Sequence, residues 1–134
     1  FYAQYDPKTR KLIYVNAGHN PPFLIRENGE VLKLEEGGAV IGMLPSMFVN
    51  YEQGEIELQP GDLLVGSTDG ITEAMNPREE EWSEEAMLEE LKTITEKSAE
   101  EILHHIVAKA DEFAAGAKQH DDMTMIVIKV RNEN

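Results

Sequence analysis

The chain has 134 residues, of which 41% are hydrophobic, and a formal net charge of −14. This length and apolar content predict one domain with its own core, which we assign to residues 1–134. The acidic excess disfavours nucleic acid and anionic membrane surfaces as partners, because both are themselves negatively charged. No cysteine is present, which excludes disulfides and thiolate metal sites and is consistent with a soluble, cytoplasmic protein. No apolar stretch approaches the ~20 residues that a membrane span needs.

The first half of the sequence has the pattern of short β-strands joined by turns. Strands are predicted at residues 1–5, 11–17, 23–26, 31–34 and 48–58, the last with an irregularity at Gly54. Asn28 and Gly29 separate the third and fourth of these strands, and this pair is a strong hairpin signal because both residues tolerate positive φ. A further apolar strand at residues 63–67 leads into Thr68, Asp69 and Gly70.

Two amphipathic helices are predicted in the second half. Ser83 is placed to cap the first helix. Ser98 and Glu101 have the spacing of a capping box at the start of the second helix, which we expect to end at Gly116. A strand over residues 123–130 follows, and the three-residue tail 132–134 is expected to fray. This order predicts an α+β fold with helices packed on one face of a largely antiparallel sheet.

Acidic residues mark two places where a predicted strand meets a loop. Asp69 follows the strand at 63–67, and Asp121 and Asp122 precede the strand at 123–130. If these strands are antiparallel neighbours, Asp69 and Asp121 converge on one edge of the sheet. Paired carboxylates suit a hard divalent cation, which prefers oxygen ligands. Gly70 would then let the backbone turn tightly beside the ion.

Other polar residues have simpler interpretations. Taken alone, a dipeptide such as Asp69-Gly70 after a strand is usually a turn, and one such as Asp121-Asp122 before a strand is usually a polar loop. His19, in a turn with two prolines, is expected to bond to its own loop backbone. The glutamate-rich stretch 79–90 is interpreted as a solvated helix entry. No histidine–acid pair stands at a suggestive spacing from the candidate nucleophiles Ser67, Thr68 and Thr72.

Four segments, taken in order, resemble the successive motifs of the SpoIIE-type bacterial serine/threonine phosphatases, which belong to the metal-dependent PPM superfamily. They are residues 16–22, 60–62, 68–74 and 121–124, and their order and spacing match over essentially the whole chain. The resemblance implies an antiparallel β-sandwich with helices outside. It also implies hydrolysis of phosphoserine or phosphothreonine on a partner protein, often a phosphorylated anti-anti-sigma-like protein, with Mn²⁺ or Mg²⁺ as the metal.

The resemblance also implies which residues form the site. Asp69 and Asp121 match metal-binding aspartates of the family and would act in catalysis through the bound metal. Asp122 stands where relatives have Asp or Asn, and is a further candidate ligand.

One family motif has no match in this chain. Relatives carry, upstream, an aspartate that bridges two metals, and nothing here resembles that segment. We therefore expect an N-terminally truncated domain, its C-terminal half to two-thirds, that binds at most one ion weakly and has little or no activity alone. The alternative is a non-catalytic interaction or dimerisation module of the same fold, because an unpaired sheet edge recruits other chains. A homodimer would be one such assembly.

Overall fold

The computed structural model describes residues 1–131. Within this part, the chain forms seven short strands and three α-helices. The elements are β1 (Tyr2–Asp6), β2 (Lys11–Val15), β3 (Phe23–Ile25), β4 (Val31–Lys33), β5 (Gly54–Glu57), β6 (Leu63–Ser67), α1 (Asp69–Thr72), α2 (Glu84–Thr93), α3 (Ala99–Ala114) and β7 (Met125–Lys129). The predicted frayed tail, residues 132–134, lies outside the described residues. No helix of this described part is long and apolar enough to cross a membrane.

The strands form two antiparallel sheets. One sheet has three strands in the order β1-β2-β5, and the other has four in the order β4-β3-β6-β7. The hairpin predicted at Gly29 is present: this residue has a φ of 85°, and the Arg26 N–H donates to the Glu30 carbonyl at 2.8 Å. The predicted antiparallel α+β fold is confirmed.

Side chains along β6 alternate between the two faces of the four-stranded sheet, and a layer of the core lies on each face. Leu63 and Val65 point to one side of the four-stranded sheet, where they pack against the helices, while Leu64 points to the other side. The helix side is completed by buried residues that include Ile71, Met87, Leu91, Ile102 and Ile106. The inter-sheet side is completed by Leu12, Tyr14, Leu24, Leu34 and Leu58. The three-stranded sheet, the four-stranded sheet and the helices are thus stacked in that order, which is the predicted sandwich with helices outside.

Both long helices begin at the predicted caps. The Ser83 hydroxyl accepts a hydrogen bond from the Ala86 N–H at 3.2 Å. At the start of α3, the Glu101 N–H donates to the Ser98 hydroxyl at 3.2 Å, and the Ser98 N–H donates to the Glu101 carboxylate at 2.9 Å. The Ser98 hydroxyl also donates to the Glu101 carboxylate at 2.7 Å, and this bond, followed by the one from the Ser98 N–H, holds the pKa of Glu101 below its ordinary value. Each cap satisfies N–H groups that a helix start leaves unpaired.

The strand predicted over residues 48–58 is wrong in its first half. Only Gly54–Glu57 forms β5, because the register with β2 covers these four residues alone. The chain before it makes a 3-10 turn at Ser46–Phe48. Gly54 is no irregularity in the strand: it pairs with Tyr14, and a Cβ at this position would lie 2.3 Å from the Tyr14 ring, so the glycine leaves room for that ring.

Other element boundaries differ from the prediction by one or two residues, among them the end of α3 and the start of β7. Helix α3 ends at Ala114, and Ala115 takes the left-handed conformation with a φ of 49°, one residue before the expected glycine. The last strand begins at Met125 rather than at residue 123. The Thr124 N–H before it bonds to a side chain, the hydroxyl of Thr68, instead of to a neighbouring strand.

Candidate functional site

Four segments of the chain lie together at one end of the four-stranded sheet. β6 runs towards this end and its neighbours β3 and β7 run away from it, with Phe23 opposite Val65 and Ser67 opposite Met125. β4 also finishes here, since Lys33 lies opposite Phe23. We call this end the rim. It comprises residues 18–22, 34–38, 67–70 and 121–124.

The two acidic segments meet at the rim. The Thr68 N–H donates to the Thr124 carbonyl at 3.0 Å, and the Thr68 hydroxyl donates to the Asp122 carbonyl at 3.1 Å while accepting from the Thr124 N–H at 3.0 Å. On the other side of Asp69, a Cβ built on Gly70 would lie 2.4 Å from the Asp122 carbonyl oxygen. Both chain neighbours of Asp69 therefore touch the backbone of Asp122. The predicted convergence of these segments is confirmed, whereas their role as ligands stays a prediction.

Gly70 is required for a different reason from the one predicted. It does not turn the chain with a positive φ, but lies within α1, a helix of four residues that the sequence pattern did not reveal. The lack of a side chain lets the backbone of residues 121–122 cross directly over it. The next residue, Ile71, is fully buried in the helix-side core and anchors α1. Asp69 thus stands at the first position of an anchored turn.

The three candidate carboxylates are exposed to solvent. The Asp121 carboxylate accepts a hydrogen bond from the Asp122 N–H at 2.7 Å, and the Gln119 side-chain amide donates to the Asp121 carbonyl at 2.6 Å. Within residues 1–131, no group of three or more His, Cys, Asp or Glu side chains is gathered so as to hold a metal ion. A single, largely hydrated Mg²⁺ or Mn²⁺ needs only one or two protein carboxylates, and the carboxylates of Asp69, Asp121 and Asp122 are the type of oxygen donor that such an ion prefers.

A cavity of about 280 Å³ lies behind the Asp121 segment, between that segment and the end of α3. Its polar lining includes Glu73, Asp111, Lys118, His120 and Asp121.

A network around Asn16 fixes the turn that carries His19. The buried Asn16 side chain accepts from the His19 N–H at 2.8 Å and donates to the His19 carbonyl at 2.8 Å. The His19 ring bonds through Nδ1 to the Asn20 carbonyl at 2.8 Å. The prediction that His19 bonds to its own loop is confirmed. The organising role of Asn16 was missed, although an asparagine two residues before a glycine is a recognisable turn signal.

The sandwich with its outer helices is shared with solved phosphatase domains of the PP2C class. The model of the family Stage II sporulation protein E (SpoIIE) matches residues 1–131, so the chain belongs to this family.

Two curated relatives match nearly the whole chain. Protein IcfG of Synechocystis sp. is 32% identical over 128 residues, which is 96% of this chain and 20% of that protein. The phosphoserine phosphatase RsbU of Bacillus subtilis is 31% identical over 139 residues, which is 96% of this chain and 38% of that protein. The chain therefore spans well under half the length of either relative.

Solved structures confirm the fold. The SiaA-PP2C domain of Pseudomonas aeruginosa superposes with a TM-score of 0.79 at 22% identity, covering 92% of this chain and 48% of that one. The phosphatase domain of SpoIIE from Bacillus subtilis, presoaked with manganese, gives 0.72 at 21% identity, covering 99% and 56%. The catalytic domain of the phosphatase PstP, in complex with two manganese ions, gives 0.60 at 18% identity, covering 97% and 57%.

Proposed function

We propose that this chain forms part of a cytoplasmic serine/threonine phosphatase domain that hydrolyses phosphoserine or phosphothreonine on a partner protein. The proposed partner is a phosphorylated anti-anti-sigma-like protein, and the proposed metal is Mn²⁺ or Mg²⁺. The observation that supports this most is the contact of Thr68 and Gly70 with the Asp122 backbone, which sets two acidic segments side by side in a chain of the SpoIIE family. The relative RsbU is named a phosphoserine phosphatase, and the structure of PstP contains two manganese ions, which supports the proposed activity and metal.

Asp69 and Asp121 are the residues that we propose hold the metal, with Asp122 as a further candidate. When bound, a divalent ion neutralises charge on phosphoryl oxygens and lowers the pKa of coordinated water. The acidic segments keep their relative position through the hydroxyl of Thr68, whose donor and acceptor are both engaged by backbone groups. Because its O–H donates to a carbonyl and not to a general base, that hydroxyl lacks the activation that a nucleophile needs, which favours water in that role.

The proposal of a single bound ion sets the metal affinity that we expect. Two exposed carboxylates, with water completing the coordination, should bind one Mn²⁺ with micromolar or weaker affinity. Since a bridged pair of ions clamps both the attacking and the leaving oxygen, a site limited to one ion should support little or no turnover by this chain alone.

Calorimetric titration with Mn²⁺ tests the proposal. We expect one weak site in the unaltered chain, and its loss in both Asp69→Asn and Asp121→Asn. Glu100→Gln removes the same charge from an exposed position on α3 and serves as the control. Binding that survives both aspartate substitutions contradicts the assignment. Submicromolar binding of two ions, or clear turnover of a phosphopeptide by this chain, contradicts the single-ion expectation.

The open edges of the sandwich favour a second candidate, an interaction or dimerisation module. β1 and β7 each lie at the edge of their sheet, and they expose Tyr2, Tyr5, Ile126 and Ile128 to solvent. Such edges pair readily with strands of another chain. Light scattering at high concentration separates the two cases: a dimer that binds no Mn²⁺ supports the module, and a monomer counts against edge pairing.

A further inference from the structure

An uncharged, apolar run stands out in this acidic chain. Residues 37–51 contain no Asp, Glu, Lys or Arg, whereas 28% charged residues overall would place about four in a stretch of this length. A run of this kind is expected in a core, yet these side chains are exposed: Ile41 by 75%, Met47 by 81% and Phe48 by 72%. Val40, Met43, Leu44 and Tyr51 are also exposed. We call residues 40–51 the apolar loop.

The apolar loop is closed by a neck of backbone hydrogen bonds. The Gly38 N–H donates to the Asn16 carbonyl at 2.9 Å, and the Glu52 N–H donates to the Gly37 carbonyl at 3.1 Å, so both ends of the loop are tied to the same place. Val40 packs against Gly18, where a Cβ would come within 2.1 Å of the valine side chain. The loop is thus held as a unit at its base, while its tip carries Met47 and Phe48 into solvent.

The neck places the apolar loop beside the acidic rim. β4 ends at the rim, and the chain passes directly from it through Glu35 and Glu36 into the neck. The neck also bonds to Asn16, which fixes the His19 turn at the same end of the sheet. A macromolecule that reaches Asp69 and Asp121 along this side of the rim would meet the apolar loop.

We propose that the apolar loop is the docking surface for the phosphoprotein substrate, an inference that rests on the proposed function. The occupant is a partner with an apolar patch bordered by basic residues near its phosphorylated side chain. Large exposed apolar side chains bind by burial in a complementary surface. Glu35, Glu36 and Glu52 bracket the loop with negative charge, which selects basic neighbours on the partner. A second copy of this chain is disfavoured, because each copy carries a net charge of −14.

Binding measurements on the intact chain test this inference. The probe is a single-domain anti-anti-sigma protein, prepared in phosphorylated and unphosphorylated forms, and its affinity for this chain is measured by calorimetry. The test variant is Met47→Ser with Phe48→Ser. The control is Tyr2→Ser with Ile126→Ser, two residues that are 61% and 62% exposed on the edge strands. Coincident thermal melts of the three proteins establish that the fold is unchanged.

The loop variant should bind both forms of the probe at least about tenfold more weakly, because truncating an interface hot spot commonly has this effect. The control should stay within about twofold of the unaltered chain, as expected outside an interface. Equal losses in the loop variant and the control, or no loss in the loop variant, overturn the inference. A concentration-dependent dimer that only the loop variant abolishes also overturns it, since the occupant is then a second copy.

Failure of the metal assignment and failure of the docking surface give different experimental results. If Asp69→Asn and Asp121→Asn leave Mn²⁺ binding unchanged while the loop variant loses the probe, the metal assignment fails and the docking surface stands. If the aspartate variants lose Mn²⁺ while the loop variant keeps full affinity for the probe, the docking surface fails and the metal assignment stands.

Discussion

Replacing Gly70 with alanine should separate the two acidic segments. The new Cβ would lie 2.4 Å from the Asp122 carbonyl oxygen and 2.9 Å from its carbonyl carbon, so the crossing backbone must retreat by about 1 Å to reach ordinary contact at 3.4 Å. Both atoms are backbone, so no rotamer change relieves the clash. Overpacking of this kind costs about 3 kcal/mol at its upper end, and alanine in a helix regains about 1 kcal/mol. We expect a net loss of about 2 kcal/mol, which for this chain length corresponds to a Tm lower by about 7 °C.

Gly66→Ala is the matched control for this change. Gly66 lies in β6, four residues earlier, and a Cβ there would meet only Pro22 at 3.8–3.9 Å. Its stability should be unchanged or slightly raised, because alanine loses less backbone entropy on folding. Thermal unfolding followed by circular dichroism measures both variants, and Mn²⁺ titration should show weakened binding in Gly70→Ala alone. Equal stability and equal Mn²⁺ affinity in the two variants would refute the close-approach argument.

Three further substitutions test the packing and the caps. Ile106→Ala, at a fully buried position of the helix-side core, should lower the free energy of unfolding by about 3 kcal/mol in urea titration. Asp62→Ala should cost about 3 kcal/mol in the same assay, because the buried carboxylate accepts hydrogen bonds from Arg26 and from a backbone N–H, and its loss removes the negative charge that neutralises the largely buried guanidinium. Ser98→Ala should cost about 1 kcal/mol near neutral pH through loss of the cap. The pKa of Glu101 is lower in the folded chain than its ordinary 4.5, so its capping contribution is complete above pH 4.5 and is lost as pH falls through the lower folded value. The difference in Tm between Ser98→Ala and the unaltered chain should therefore shrink in acid, and a constant difference would show that Glu101 takes no part.

Local signals were enough to predict the starts of α2 and α3 and the hairpin at Gly29. Ser83, Ser98 and Glu101 satisfy nearby N–H groups, and Gly29 supplies a positive φ, so each depends on residues only a few positions away. The convergence of the Asp69 and Asp121 segments could also be predicted, because it follows from antiparallel pairing of the two strands that carry them.

The incorrect or missing predictions concern residues whose structure depends on contacts with residues far away in the sequence. Residues 48–53 have a strand-like composition but no place beside β2, so they remain outside the sheet. α1 is one turn long and is fixed by burial of Ile71 rather than by any periodic pattern. Gly54 and Gly70 each accommodate a group far away in sequence, a tyrosine ring and a crossing backbone, and the sequence contains no local sign of either contact.

Paramagnetic broadening by Mn²⁺ tests the central claim most directly. In a titration followed by backbone amide NMR, the signals of residues 68–70 and 120–124 should broaden together at the lowest Mn²⁺ concentrations, and Mg²⁺ should shift the same signals without broadening them. The account predicts that Asp69→Asn suppresses the broadening in both segments. Broadening confined to one segment, or centred on the glutamates of residues 79–90, would show that the two aspartates do not share an ion.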